Sequence, residues 1–271
     1  MHRMNWLAMA TAVLMTSAAA ASVTIATASA AAAGTVAALI DGSSIAWIDI
    51  KNRKVTGSVR IDGGARLVGI DVRPADGKLY GLTADGQIVT IDPQSGKWQR
   101  KSQLSEKLPA NAAVVVDFNP VADRLRVIGS EGTNLRVNVD DGKAIVDGRL
   151  KYADGDKGAG RAPRVTAAGY TNSHPGTKAT ALYDVDAANG WLLKQAPPND
   201  GILVTVGALG VPVDGPIALD IWSDGKGGNA AWLLSGGRLY EIDLATGAAK
   251  TTGAIEGLGG KVIDMAILPP A

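Results

Sequence analysis

The chain contains no cysteine. That excludes a disulfide framework, a thiolate metal site and a cysteine nucleophile. It also excludes a lipid anchor on an N-terminal cysteine. Histidine is nearly as scarce, with two in the chain, and His2 falls in the leader-like start described below. A multi-histidine metal centre is therefore excluded, and a Ser-His-Asp triad would have to use His174. No G-x-S-x-G elbow, no G-x-x-x-x-G-K-[ST] loop and no G-x-G-x-x-G between a strand and a helix is present. Strong charge is missing too. The formal net charge is +1, with neither a nucleic-acid footprint nor a polybasic membrane patch. No segment beyond the leader has a helical period or is apolar enough over its length to span a bilayer.

Turn residues are plentiful. The chain has 34 glycines and 12 prolines among 271 residues, which points to many short strands. Its start reads as an export signal. His2 and Arg3 form a short basic region, Trp6 to Met15 is mostly apolar, and Ala28-Ser29-Ala30 gives an A-x-A cleavage pattern. The expected organisation is a signal peptide over 1–30, cleaved within a few residues of Ala30, and one domain over 31–271. Removing the leader takes away Arg3, so the mature chain has 26 basic and 26 acidic residues.

Internal repetition carries the fold argument. LVGIDVRPADGKLYGLTADGQIVTIDPQSG (Leu67 to Gly96), VVVDFNPVADRLRVIGSEGTNLRVNVDDG (Val114 to Gly142) and IALDIWSDGKGGNAAWLLSGGRLYEIDLATG (Ile217 to Gly247) share one plan. An apolar strand ends at an aspartate; two further strands follow, separated by Gly/Pro/Asp turns. The third strand ends in a D-x-x-x-G-type turn. Lys97 to Leu104, Lys143 to Leu150 and Ala248 to Ile255 supply fourth strands. A looser unit runs from Arg164 to Leu209, preceded by an insertion, Tyr152 to Pro163, that reads as a surface loop. Thr35 to Ile40, Ile45 to Ile50 and Val55 to Ile61 give strands two to four of a blade whose first strand is Lys261 to Leu268. Repeats of this length predict an all-β, five-bladed β-propeller, with four antiparallel strands per blade and a ring closed by pairing the C-terminal strand with the N-terminal ones.

Asp71, Asp117, Asp220 and Asp264 occupy one repeat position, at the end of the inner strand; Gly169 replaces the aspartate in the remaining blade. Carboxylates converging on a channel suit Ca²⁺ or another hard cation, or an acid/base pair. The alternative is that each aspartate accepts hydrogen bonds from its own turn. The third unit is distinctive because it carries mid-strand arginines. Arg124, Arg126 and Arg136, with Asn134 on the face of Arg136 and Asp117, Asn119 and Asp123 upstream, are candidates for an anion or carboxylate site. An internal Arg–Asp network joining blades is the other reading, because buried arginines need partners. Asp154-Gly-Asp156 and the Asp224 to Asn229 turn are weaker oxygen-ligand sets without EF-hand spacing. Trp222 reads as an exposed contact, and PPND (Pro197 to Asp200) with Gly201 as a rigid turn.

The series D-F-N-P…D-R-L-R…N-L-R between Asp117 and Arg136 is similar to a bacterial family catalogued only as a domain of unknown function. So are AAGYTN (Ala167 to Asn172), LKQAPPNDG (Leu193 to Gly201), GIDVRPADGKLYGL (Gly69 to Leu82) and LYEIDLATG (Leu239 to Gly247). The resemblance covers nearly the whole mature chain. It implies an exported propeller and brings no activity with it. The expectation is an exported, periplasmic or extracellular, non-enzymatic propeller that binds a small molecule or a cell-envelope component, without nucleic acid and without an obligatory cofactor. The alternatives are a secreted hydrolase or lyase with channel carboxylates, Ca²⁺-dependent or not, and an envelope scaffold without a small-molecule site.

Overall fold

The structure, a computed structural model, describes residues 34–213 and 215–268. The leader and its cleavage point at Ala30 lie outside the described residues. Among the described residues, twenty-one strands form five separate sheets. Blade 1 has the order β21 (Val262–Ile267), β1 (Thr35–Ile40), β2 (Ser44–Asp49), β3 (Lys54–Arg60). Blade 2 runs β4 (Leu67–Val72), β5 (Leu79–Thr83), β6 (Gln87–Ile91), β7 (Trp98–Gln103). Blade 3 runs β8 (Val114–Asn119), β9 (Arg124–Gly129), β10 (Asn134–Val137), β11 (Ala144–Val146). Blade 4 runs β13 (Val165–Tyr170), β14 (Leu182–Asp186), β15 (Trp191–Gln195), β16 (Ile202–Ala208). Blade 5 runs β17 (Ile217–Ser223), β18 (Asn229–Ser235), β19 (Arg238–Ile242), β20 (Ala249–Ala254). The inner strands β21, β4, β8, β13 and β17 touch in that cyclic order. The fold is a five-bladed β-propeller, as the repeats predict.

The ring closes as expected. β21 pairs antiparallel with β1, placing Ala37 opposite Ala266 and Ala38 opposite Met265. One expectation needs correction. The insertion after blade 3 begins with a strand, β12 (Lys151–Tyr152), which adds parallel to β16 as a fifth strand of blade 4. The loop behind it is tied down: Asp156 accepts from Thr205 N and Oγ1 at 2.7 Å each. Lys157 lies over Trp191, 4.1 Å from the ring centroid.

The core is divided among five seams between neighbouring blades. Val36, Ile48, Trp232 and Met265 fill the seam from blade 5 to blade 1; Leu39, Ile45, Ile70 and Val89 fill the next. Tyr80, Phe118 and Val127 fill the seam between blades 2 and 3, Val115, Ile128, Tyr170 and Leu193 that between 3 and 4, and Val185, Leu219 and Leu233 that between 4 and 5. Central strands are covered on both faces, so β5 and β14 are buried throughout, whereas outer strands such as β3 alternate half-buried and exposed residues. This is why the inner repeats read as continuous apolar runs and the outer ones as amphipathic strands.

Candidate functional site

The four repeat aspartates lie at the third to fifth residue of their inner strands, not at the strand ends, and are all buried. They are not confined to their own turns, which corrects the turn-capping alternative. Asp264 Oδ2 accepts from Ile70 N on blade 2 at 3.0 Å. Asp71 Oδ2 accepts from Phe118 N on blade 3 at 2.6 Å. Asp117 Oδ1 accepts from Tyr170 N on blade 4 at 3.0 Å. Asp220 Oδ2 accepts from Ile267 N on blade 1 at 2.6 Å. Each carboxylate therefore clamps its inner strand to the next one round the ring. Only the seam from blade 4 to blade 5 lacks a clamp; there Gly169 stands against the Ile221 side chain, which would sit 3.0 Å from a Cβ at that glycine. The second oxygens of Asp71, Asp220 and Asp264 accept from the following backbone amides, Val72, Ile221 and Met265.

These clamps bring charge together. One carboxylate oxygen each from Asp71, Asp117 and Asp220 lies within 4.8 Å of the others. Burial raises the Asp71 and Asp117 carboxyls well above the ordinary range, and the neighbouring carboxylates push further in the same direction. Burial also raises Asp264 and holds Asp220 at about 6. Asp71 and Asp220 line a cavity of about 360 Å³ together with Asp76, Ser173, His174 and Trp222. The grouping is an oxygen-only set of the kind hard cations prefer.

The arginine-rich candidates separate into two networks. Arg126, 2% exposed, lies in the seam between blades 3 and 4. It donates through Nε to Tyr170 Oη (3.2 Å), through one terminal nitrogen to Asn134 Oδ1 (2.8 Å) and Asp147 Oδ2 (2.6 Å), and through the other to Asn199 Oδ1 (3.0 Å). Arg136 grips the same Asp147 with two donors at 2.7 and 2.9 Å, which raises its pKa. Asn134 Nδ2 reaches the Gly148 and Pro198 carbonyls. Four of the five Arg126 donors are thus used inside the protein, as in an inter-blade network.

The second network centres on Arg73. It forms a fork onto Asp123 at 2.8 and 2.6 Å, meets Asp140 at 3.3 Å, and donates to Tyr80 Oη at 3.2 Å, so blades 2 and 3 are cross-linked. The Asp123 hydrogen bonds raise the Arg73 pKa. Lys101, then Arg73, hold Asp140 below the carboxylate range. Asn119 and Arg124 stay local. Asn119 Oδ1 accepts from Val121 N and Ala122 N, and Arg124 donates to the Asp123 carbonyl. Sequence reasoning missed Asp147, Asn199, Tyr170 and Arg73 as partners, and it missed Asp184. That residue is fully buried on β14, and neither oxygen has a hydrogen bond. A mid-strand aspartate in the apolar run ALYDV was the available signal.

No curated protein matches the chain. Among solved structures, a protein of unknown function from Bacteroides thetaiotaomicron is similar at 16% identity and TM-score 0.53; the match covers 88% of this chain and 62% of that one, so this chain spans less than two thirds of that protein's length. A chain of a nidogen/laminin complex is similar at 11% identity and TM-score 0.52, over 86% of this chain and 98% of that one. At these identities the likeness concerns the fold. The model of the domain of unknown function DUF4394 matches residues 44–266, from the second strand of blade 1 to the strand that closes the ring, and the chain belongs to that family.

Proposed function

We propose that this propeller is a non-enzymatic, exported binding protein whose site is the carboxylate end of the channel, and that its ligand is cationic, in the simplest case Ca²⁺. The observation that carries this reading is the approach of three buried carboxylates to within 4.8 Å, two of which, Asp71 and Asp220, line a cavity. Groups that hold protons this tightly gain most from a cation that replaces the proton. Trp222 and His174 at the rim give an organic cation an aromatic wall.

The test is calorimetric titration of the purified protein with CaCl₂, and with MgCl₂ for comparison, at pH 7.5. Binding with proton release is expected, and Asp117→Asn should weaken it at least tenfold. Asp117 is the best position to change because only one of its oxygens serves a clamp. Absence of heat and of any thermal shift at millimolar cation would overturn the reading in favour of an envelope scaffold.

A second reading rests on the same proximity. Two carboxylates this close share a proton, as an acid/base pair in a hydrolase or lyase does. Against it, Asp71 and Asp220 each accept two backbone amides, so both oxygens of each already serve the ring. Turnover abolished by Asp71→Asn with cation affinity retained would favour the enzyme.

A further inference from the structure

The other mouth of the channel carries the opposite charge. Arg66 and Arg164 immediately precede β4 and β13, each five residues before the repeat position held by Asp71 and Gly169. The inner strands run from this mouth toward the aspartates, which lie at the third to fifth residue of each strand. Arg66 and Arg164, both exposed, line a cavity of about 480 Å³ to which all five blades contribute. Its walls include Val68, Val114, Ile217 and Ile263. Thr166 lines the same cavity, and its hydroxyl is buried without a hydrogen-bond partner among the described residues. Neither guanidinium forms an ion pair among the described residues, whose ion pairs involve Lys54, Arg73, Lys101, Arg126 and Arg136. Asp41 also lines the cavity, but its Oδ1 is engaged with Lys261 N.

We propose that this mouth is a second binding site, separate from the carboxylate end, and that it takes a small organic anion with an apolar body. The carboxylate head would sit between Arg66 and Arg164, whose forks match it, and the Thr166 hydroxyl offers a further hydrogen bond. The hydrocarbon would lie against the four aliphatic walls. The two guanidiniums favour a carboxylate head over a neutral or cationic one, so the site discriminates by charge as well as by shape.

Calorimetric titration of the purified protein with octanoate, 1-octanol and octylamine tests this. Octanoate should bind at least tenfold more tightly than either analogue, and its affinity should fall with added salt. The double variant Arg66→Gln/Arg164→Gln should lose at least tenfold in octanoate affinity while melting like the parent, because both side chains are exposed. Asp117→Asn should leave octanoate binding undiminished, which separates this site from the cation site. No octanoate binding at millimolar concentration, equal binding of octanol, or an unimpaired double variant would each overturn the proposal.

Discussion

Asp184 shows how a single buried side chain sets a pH dependence. It is 0% exposed, and burial holds its carboxyl up at about 8 although the Arg126 guanidinium pulls the other way. Register places Leu182 opposite Gln195 and Asp184 opposite Leu193, so Asp184 and Gln195 are diagonal neighbours on one face. The Gln195 amide nitrogen is given to the Pro198 carbonyl, which leaves its buried oxygen facing inward as an unpaired acceptor. Protonation removes the charge of a buried carboxyl that has no hydrogen-bond partner among the described residues. The native state then holds a proton that an unfolded aspartate, with a pKa of about 3.9, releases. The stabilisation is complete below about pH 4, declines as pH rises, and is lost above about 8. Asp184→Asn should flatten the melting temperature against pH between 5 and 9 and be more stable than the parent at pH 9; parallel curves would refute the assignment. Arg126 behaves differently. Arg126→Ala strands Asp147, Asn134, Asn199 and Tyr170 in a dry seam, so a loss of about 3–5 kcal/mol in denaturant titration is expected, against about 0.5 kcal/mol or less for half-exposed Arg124→Ala. The sequence showed that these arginines need partners. It did not show which, because Asp147, Tyr170 and Asn199 lie 21, 44 and 73 residues away from Arg126.

At the scale of the element, the recurring D-x-x-x-G turn has a reason that the sequence alone withheld. Its first residue accepts backbone amides two or three positions on, as Asp92 does from Gln94 and Ser95 and Asp243 from Ala245 and Thr246. Its glycine adopts positive φ and presses on the outer strand of the preceding blade. A Cβ at Gly142 (φ +76°) would lie 1.8 Å from the Gln103 carbonyl oxygen, and one at Gly96 would lie 2.1 Å from that of Arg60. Gly77 has a similar φ of +68° with open space around it. Gly77→Ala should therefore cost only the left-handed backbone term, about 1–2 kcal/mol. Gly142→Ala should cost well over that, because backbone must move between blades; equal losses in urea unfolding would show that the contact does not matter. Strand positions were legible because apolar runs and turn residues alternate at regular spacing. β12 was not, since two residues that pair in parallel with a distant strand leave no periodic mark. The closing strand β21 was legible from Val-Ile-Asp-Met matching the other inner strands. Deleting residues 261–271 removes that strand and the Asp264 clamp, so the shortened chain should lose cooperative unfolding and expose the edge of β1 to aggregation. A soluble, cooperatively melting product would disprove the closure.

For the molecule as a whole, the sequence revealed the ring but not the electrical arrangement of its axis. Repetition identified which aspartates are equivalent. It did not show that equivalence places three of them within 4.8 Å, nor that each reaches the next blade, since both depend on how five copies close on themselves. The consequence is a fold whose acids fall into two populations. Asp71, Asp117, Asp184, Asp220 and Asp264 are buried with raised pKa values. Turn aspartates such as Asp49, Asp92, Asp224 and Asp243 are lowered, chiefly by backbone amides. The buried set takes up protons on folding, so stability rises as pH falls from about 8 toward 4. The turn set does the reverse, and its contribution is lost as pH falls below the unfolded value of about 3.9. The two slopes meet at mildly acid pH, where the melting temperature should peak. Saturating Ca²⁺ should act unequally across that curve. It competes with protons for the ring carboxylates, so it should raise the melting temperature most near pH 8 and little near pH 5, moving the optimum toward neutrality. A melting temperature that climbs steadily to pH 8 without cation would refute the raised ring; a calcium shift equal at both pH values would place the ion elsewhere than on Asp71, Asp117 and Asp220.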